Sequence, residues 1–76
     1  MSENEWLDIF AENLLELMKE KGYNQIDLAE STNLSKGTIS SYINKRKVPG
    51  IRALVNIAYE LNISFDDLMD FGDRID

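Results

Sequence analysis

Cysteine and histidine are both absent from the 76-residue sequence. Without them, the chain has no disulfide bonds, no thiolate or imidazole metal ligands and no cysteine nucleophile, and it lacks the usual general base near neutral pH. Carboxylate chemistry remains, on a chain too short to enclose a substrate. The sequence therefore predicts no metal site, no cofactor, no small-molecule substrate and no enzymatic activity.

Long hydrophobic runs are also lacking. No apolar stretch approaches the length that spans a membrane, and the first five residues lack the basic and apolar regions of a secretory signal. We therefore expect a cytoplasmic protein with no membrane partner. A chain of this length has surface for one core, so we expect a single domain over residues 1–76, with its core at about 6–71 and flexible ends at 1–4 and 72–76.

Basic residues are few, eight against 14 acidic ones, and the net charge of −6 disfavours binding to nucleic acid. Their distribution weakens this objection, because no acidic residue lies between Glu30 and Glu60. The basic residues of that window are Lys36, Lys45, Arg46, Lys47 and Arg52. With these five removed, three basic and 14 acidic residues leave −11 on the rest of the chain. The alternative to a basic binding surface is chance clustering on a solvated face.

Apolar residues recur every three or four positions, which is the spacing of amphipathic helices, and no strand-like alternation is present. Capping residues divide the pattern into five helices. The first predicted helix has its apolar pattern over 6–18 and ends at Gly22. The second runs from the Asn24 cap to Thr32, and the third covers 36–44 after the Ser35 cap. The fourth runs from the Gly50 cap to Asn62, and the fifth begins at Ser64. The sequence therefore predicts an all-α fold.

The third predicted helix has a distinctive outer face. With Ile39 facing inward and about 100° between successive residues, the outward positions are Gly37, Ser40, Ser41 and Asn44, flanked by Thr38 and Lys45. This face has no carboxylate and no large apolar group, and its hydroxyl and amide groups can each donate and accept hydrogen bonds. Such a face is compatible with a DNA groove.

Both ends of the third helix allow two interpretations. Lys36 at its amino end has the reach to contact a guanine or a phosphate, and Gly37 costs the helix about 1 kcal/mol relative to alanine. Either the backbone at Gly37 must approach another molecule closely or the glycine is neutral. Lys45, Arg46 and Lys47 form either a phosphate clamp or a solvated basic loop.

A set of residues spread over four predicted helices repeats a known pattern. Its members are Asn24–Ala29, Leu34, Ser35, Thr38–Ser40, Tyr42, Pro49, Leu54, Ile57, Ala58, Leu61 and Phe65–Leu68. With this spacing, the stretch from Phe10 to Phe71 resembles the Cro/C1-type (XRE-like) helix-turn-helix family of phage and bacterial regulators. The resemblance implies a compact λ-repressor-like domain, with a helix-turn-helix at helices 2 and 3, that binds double-stranded DNA.

The resemblance also implies roles for individual residues. The positions that match base-reading residues of the family are Lys36, Gly37, Thr38 and Ser41. The positions that match phosphate-contacting residues are Gln25, Ser40, Asn44, Lys45, Arg46 and Lys47. Without the resemblance, Gln25 would be read as an exposed polar residue that begins a helix.

Four positions depart from the family pattern. Asn33 replaces the usual glycine of the turn, and Lys45 replaces the glycine that often ends helix 3, so Asn44 or Lys45 is expected to adopt a left-handed conformation. Many members place arginine and glutamate where this chain has Met18 and Ile43. Exchanging both partners of a buried ion pair for apolar groups leaves no stranded charge, so we predict that Met18 packs on Ile43.

The leading hypothesis is a transcriptional regulator, most simply a repressor, that binds a two-fold operator as a homodimer with helix 3 in the major groove. The candidate dimer residues are Leu68, Met69 and Phe71, together with Ile51 or Val55. The alternative for these residues is the core of a single chain.

A second hypothesis is a protein-interaction module of the same fold, such as an antitoxin or adaptor. Its candidate surface is the acidic side of helix 1, at Glu12, Glu16 and Glu20, which would dock a basic partner.

Overall fold

The computed structural model describes residues 3–69, with side chains from residue 5 onward. Its elements are α1 (Glu3–Lys21), α2 (Gln25–Thr32), α3 (Lys36–Ile43), α4 (Ile51–Glu60) and α5 (Phe65–Leu68). Helix α1 packs on α3 and α5, α2 packs on α3 and α4, and α4 packs on α5. The predicted all-α, five-helix fold is confirmed. Within 3–69, no helix combines the length and the apolar character needed to cross a membrane.

Side-chain caps fix where three of the helices begin. The Asn24 side chain accepts a hydrogen bond from the Asp27 amide at 2.8 Å, and the Asp27 carboxylate accepts one from the Asn24 amide at 3.2 Å. Ser64 and Asp67 make the same reciprocal pair ahead of α5. The Ser35 hydroxyl accepts from the Thr38 amide and begins α3. These bonds satisfy amide groups that have no partner within the first turn of a helix.

A left-handed residue follows each of the first four helices. These residues are Gly22, Asn33, Lys45 and Asn62, with φ between 56° and 74°. After each helix, two backbone amides bond back to carbonyls of the last turn, which is the Schellman pattern. Of the two residues expected to adopt this conformation at the end of helix 3, Lys45 does so, at φ 62°, whereas Asn44 has φ −88°.

Three helix boundaries differ from those predicted, and the smallest difference is at α3, which ends at Ile43 with Asn44 as its cap. Helix α1 begins at Glu3, so residues 3 and 4 are helical where the sequence predicted a flexible end. Helix α4 ends at Glu60 because Leu61 caps it and Asn62 turns left-handed, which stops the helix before the predicted Asn62. Residues 1, 2 and 70–76 lie outside the described range, and the predicted flexible end at 72–76 falls among them.

One apolar core lies between the helices. Its fully buried large side chains are Phe10, Leu14, Leu28, Ile39, Ile57, Leu61 and Leu68. Met18 is buried in this core and Ile43 is partly buried against it. The two apolar residues that stand in place of the family's arginine and glutamate therefore lie in the same cluster. Their direct contact stays a prediction. Leu68 belongs to the core and Met69 packs against it, so the intramolecular alternative is correct for Leu68. Phe71 lies outside the described residues.

Three side-chain amide and hydroxyl groups connect helix ends to other helices or to their own turn. Asn13 donates to the Leu68 carbonyl at 3.0 Å and ties α1 to the end of α5. Asn56 donates to the Thr32 carbonyl at 2.6 Å and ties α4 to the end of α2. The buried Thr32 hydroxyl donates to the Leu28 carbonyl at 2.6 Å. The two asparagine bonds satisfy carbonyls at helix ends that would otherwise need water or a cap, and the third bond satisfies the buried Thr32 hydroxyl.

Candidate nucleic-acid interface

Helices α2 and α3 form a helix-turn-helix. The chain reverses at Asn33, where the Asn33 amide bonds to the Glu30 carbonyl and the Leu34 amide bonds to the Ala29 carbonyl. Asn33 holds the left-handed conformation that glycine would otherwise supply, because its short polar side chain tolerates it. The predicted tight turn without glycine is confirmed.

Packing against α1 fixes the orientation of α3. Ile39 is fully buried, and Tyr42 is buried with its ring edge-on to Phe10, at a centroid distance of 6.1 Å and an interplanar angle of 76°. This is a favourable aromatic geometry. Burial raises the pKa of the Tyr42 hydroxyl above its ordinary value of 10.0, because the phenolate would be poorly solvated there. Helix α3 therefore presents a defined outer face.

The four predicted base-reading residues lie on the first half and the outer side of α3. Lys36 and Gly37 are exposed, while Thr38 and Ser41 are half-buried. The Thr38 hydroxyl lies 2.8 Å from the Ser35 hydroxyl, so it is already engaged with the cap residue. A Cβ built on Gly37 would meet only the Ser35 hydroxyl oxygen, at 3.8 Å, so nothing within the domain requires glycine at this position.

The predicted phosphate-contacting residues, apart from Gln25, lie at the carboxyl end of α3. Asn44 donates a side-chain hydrogen bond to the half-buried Ser40 hydroxyl at 3.1 Å. The Lys45 amide bonds to the Tyr42 carbonyl, and the Arg46 amide bonds to the Ser41 carbonyl. These bonds hold the backbone of the basic loop, while the side chains of Lys45, Arg46 and Lys47 are exposed.

Gln25 lies apart from this loop along the chain, as the first residue of α2. Its side chain is half-buried. The Asn24 cap fixes the backbone beside it, so the position of Gln25 at the amino end of α2 is set locally. Its role towards DNA stays a prediction.

One contact of the basic loop is not predicted by any pattern in the sequence. The Lys45 ammonium lies 3.3 Å from the Asp8 carboxylate on α1, and both side chains are about half exposed. Asp8 precedes Lys45 by 37 residues in the chain, so no helical spacing relates them. The only signal in the sequence was the segregation of charge, which did not indicate which acidic residue would approach the loop.

Basic residues lie at both ends of α3, with Asp8 beside one of them, Lys45. No acidic residue lies in the first turn of α3, where backbone amides give the helix its positive end. Within residues 3–69, no group of three or more acidic side chains is placed to hold a metal ion.

Comparison with known proteins gives two findings. A family model described as a Cro/C1-type helix-turn-helix DNA-binding domain matches residues 13–73. The solution structure of the SOS-response transcriptional repressor LexA from Eubacterium rectale is similar over 100% of this chain and 80% of that chain, with a TM-score of 0.82 and 22% sequence identity.

No curated protein sequence gives a significant match. The LexA structure shares the fold, and the family model covers most of the sequence, including α2, α3 and α4. The chain therefore belongs to the Cro/C1-type helix-turn-helix family, and it is a DNA-binding domain of the kind found in transcriptional regulators.

Proposed function

We propose that this protein is a cytoplasmic transcriptional repressor that binds a two-fold operator in double-stranded DNA as a homodimer. The observation that carries the proposal is the outer face of α3, which runs from Lys36 to Asn44 without a carboxylate while Ile39 and Tyr42 hold its inner face against the core. A helix of this kind lies in the major groove when a helix-turn-helix binds DNA.

Base contacts are assigned to Lys36, Gly37, Thr38 and Ser41. Lys36 extends from the first turn towards a guanine edge, and Gly37 lets the backbone approach the groove closely. Ser41 and Thr38 carry short hydroxyl groups, and Thr38 is already bonded to Ser35. Long base-reading side chains are therefore few, and we expect DNA shape to supply a large part of the specificity.

Phosphate contacts are assigned to the opposite end of α3 and to the start of α2. The assigned residues are Gln25, Ser40, Asn44, Lys45, Arg46 and Lys47. The three cations are exposed on a loop whose backbone is held by hydrogen bonds at Lys45 and Arg46, so little backbone entropy needs to be lost when they bind. Contacts of this type position the protein and supply sequence-independent affinity.

A two-fold operator follows from the size of the domain. One helix of eight residues contacts only a few base pairs, which is too little sequence for a specific site. Two copies that read half-sites one helical turn apart, roughly 34 Å, would double the contacted sequence.

Selection of bound duplexes from a random library tests the proposal. We expect an enriched sequence with two inverted half-sites whose centres are about one helical turn apart. The Ser41→Ala variant should change the preferred bases, while Lys47→Ala should weaken binding to all sequences alike. Enrichment of no sequence, or equal effects of the two variants on every duplex, would contradict the proposal.

The competing function is the protein-interaction module. Glu12, Glu16 and Glu20 are exposed on α1, as that function requires, but an acidic exposed face is also usual for a solvated helix. The basic loop and the acid-free face of α3 have no role in docking a basic partner, so the DNA-binding function accounts for more of the molecule.

A further inference from the structure

Helix α4 has a second apolar face that the core does not cover. Leu54, Ile57 and Leu61 are buried. On another side of the helix, Ile51, Val55 and Tyr59 are exposed to 65%, 54% and 79%. These three residues, called the α4 row below, are spaced four apart and so lie along one side of the helix. Single exposed apolar residues are common, whereas an aligned row indicates a contact surface.

The α4 row lines a shallow groove of about 370 Å³ together with Arg52 and Asn56. Its walls are almost entirely apolar and it is open to solvent along one side. A small molecule would stay largely exposed in such a groove, whereas small-ligand sites bury most of their ligand. The shape suits side chains of another protein surface.

We propose that the α4 row is the surface on which two copies of this chain pair, with the two α4 helices antiparallel about a two-fold axis near Val55. In that register Val55 faces Val55 of the second copy, and Ile51 faces Tyr59 of the second copy. The row is thus self-complementary: Val55 lies on the axis, and at each end the aliphatic Ile51 of one copy lies opposite the aromatic Tyr59 of the other. A two-fold contact requires this kind of self-complementarity.

Charge supports the antiparallel arrangement. Arg52 lies near one end of the row and Glu60 near the other, with no other charged residue on α4. Antiparallel pairing brings Arg52 of each copy near Glu60 of the second copy, whereas parallel pairing brings like charges together. The row lies within the window from 31 to 59, which has no acidic residue, whereas all 14 acidic residues lie outside it. Repulsion between the acidic parts of two copies is therefore weaker at the row than elsewhere.

The paired surface is small. Six apolar side chains bury roughly 600–900 Å² in total, against roughly 1,200–2,000 Å² for a stable specific interface. The dimer is therefore weak in solution, and binding to adjacent half-sites is what brings two copies together at low concentration. The pairing would serve the two-fold operator proposed above, but it can be measured without DNA.

Sedimentation of the full chain without DNA, up to about 1 mM, tests the pairing. We expect a concentration-dependent monomer–dimer equilibrium that Val55→Glu abolishes. Leu15→Glu is the matched control, since Leu15 is a 45% exposed apolar residue on α1 and gains the same charge; it should dimerise as the original chain does. Circular dichroism verifies that both variants are folded.

Charge exchange tests the register. Arg52→Glu and Glu60→Arg should each weaken dimerisation by at least about fivefold, and the double variant should return to within about twofold of the original chain. The proposal is overturned if no dimer forms at about 1 mM, if Val55→Glu dimerises like the original chain, or if the double variant is weaker than both single variants. A dimer that meets these tests yet binds no duplex would refute the proposed function while leaving the pairing intact.

Discussion

The Lys45 ammonium lies 3.3 Å from the Asp8 carboxylate and joins the first turns of α1 to the loop that follows α3. The side chains are 43% and 55% exposed, so solvent screens the pair and its contribution to folding is small. In the proposed DNA complex its effect is larger in proportion, because the Asp8 carboxylate compensates the Lys45 charge that DNA would meet. Asp8 would then compete with DNA for Lys45.

Removing the Asp8 charge should strengthen DNA binding. We expect Asp8→Asn to raise duplex affinity by about two- to fivefold per copy, which corresponds to the energy of an exposed ion pair. Fluorescence anisotropy with a fixed duplex measures this. Glu16→Gln removes the same charge from an exposed position of the same helix, and beyond roughly 10 Å salt screens its effect. An equal gain in both variants would show that the overall charge matters and the Asp8 contact does not.

The left-handed conformation of Lys45 predicts a gain in stability from glycine. At φ 62° a side chain is strained, and glycine removes that strain. We expect Lys45→Gly to have a free energy of unfolding about 1 kcal/mol above that of Lys45→Ala, measured with urea. The alanine variant loses the same ion pair but keeps the strain, so it isolates the backbone effect. Equal stability of the two variants would argue against strain at this residue.

Gly37 should show opposite effects on folding and on binding. Because a Cβ there makes only an ordinary contact, at 3.8 Å from the Ser35 hydroxyl, Gly37→Ala should stabilise the domain by up to about 1 kcal/mol. The same methyl group should weaken duplex binding, since it lies on the face assigned to the groove. Thermal unfolding and anisotropy measure the two effects. A stabilised variant with unchanged affinity would indicate that Gly37 is a neutral glycine.

Burial of Tyr42 predicts a loss of stability in alkali. The folded pKa lies above the ordinary value of 10.0, so the unfolded chain releases the proton first. The contribution of the protonated Tyr42 to the free energy of unfolding is therefore fully present below pH 10.0, and it is lost as the pH rises through the folded pKa. The free energy of unfolding should fall less steeply above pH 10.0 in Tyr42→Phe than in the original chain.

The control for alkaline unfolding is Tyr59→Phe, because Tyr59 is 79% exposed. This variant removes a hydroxyl that is not buried in the core, so a change of alkaline slope seen in Tyr42→Phe alone would be due to the buried residue. If Tyr42→Phe gives the same alkaline slope as Tyr59→Phe, the ionisation of Tyr42 is not coupled to folding.

The local features of the fold were predictable from the sequence because neighbouring residues determine them. Asn24 and Ser64 cap helices through amides only three residues away, and Asn33 adopts its left-handed conformation through its own side chain. The choice between Asn44 and Lys45 stayed open, because asparagine tolerates the left-handed conformation better than lysine does. Lys45 takes this conformation because the Lys45 and Arg46 amides bond back to the Tyr42 and Ser41 carbonyls at the end of α3.

The features that were not predicted depend on residues distant in the sequence. The bond from Asn56 to the Thr32 carbonyl and the ion pair of Asp8 with Lys45 each require the tertiary packing of helices. The exposure of Tyr59 is of the same kind, since its helical position alone does not say which side of α4 the core covers. Ile51 and Val55 were recognised only as candidates for either a core or an interface.

Binding to duplex DNA over a series of salt concentrations tests the central claim most directly. Three loop cations in each of two copies, with Lys45 partly compensated by Asp8, predict that log K falls against log salt with a slope between about −4 and −5. Asp8→Asn should make this slope steeper by about 0.4 to 1.4, to about −5.4, which is the value for six uncompensated cations. No measurable affinity for duplex DNA at low salt, or an affinity independent of salt, would contradict the assignment of α3 and its basic loop as a DNA-binding surface.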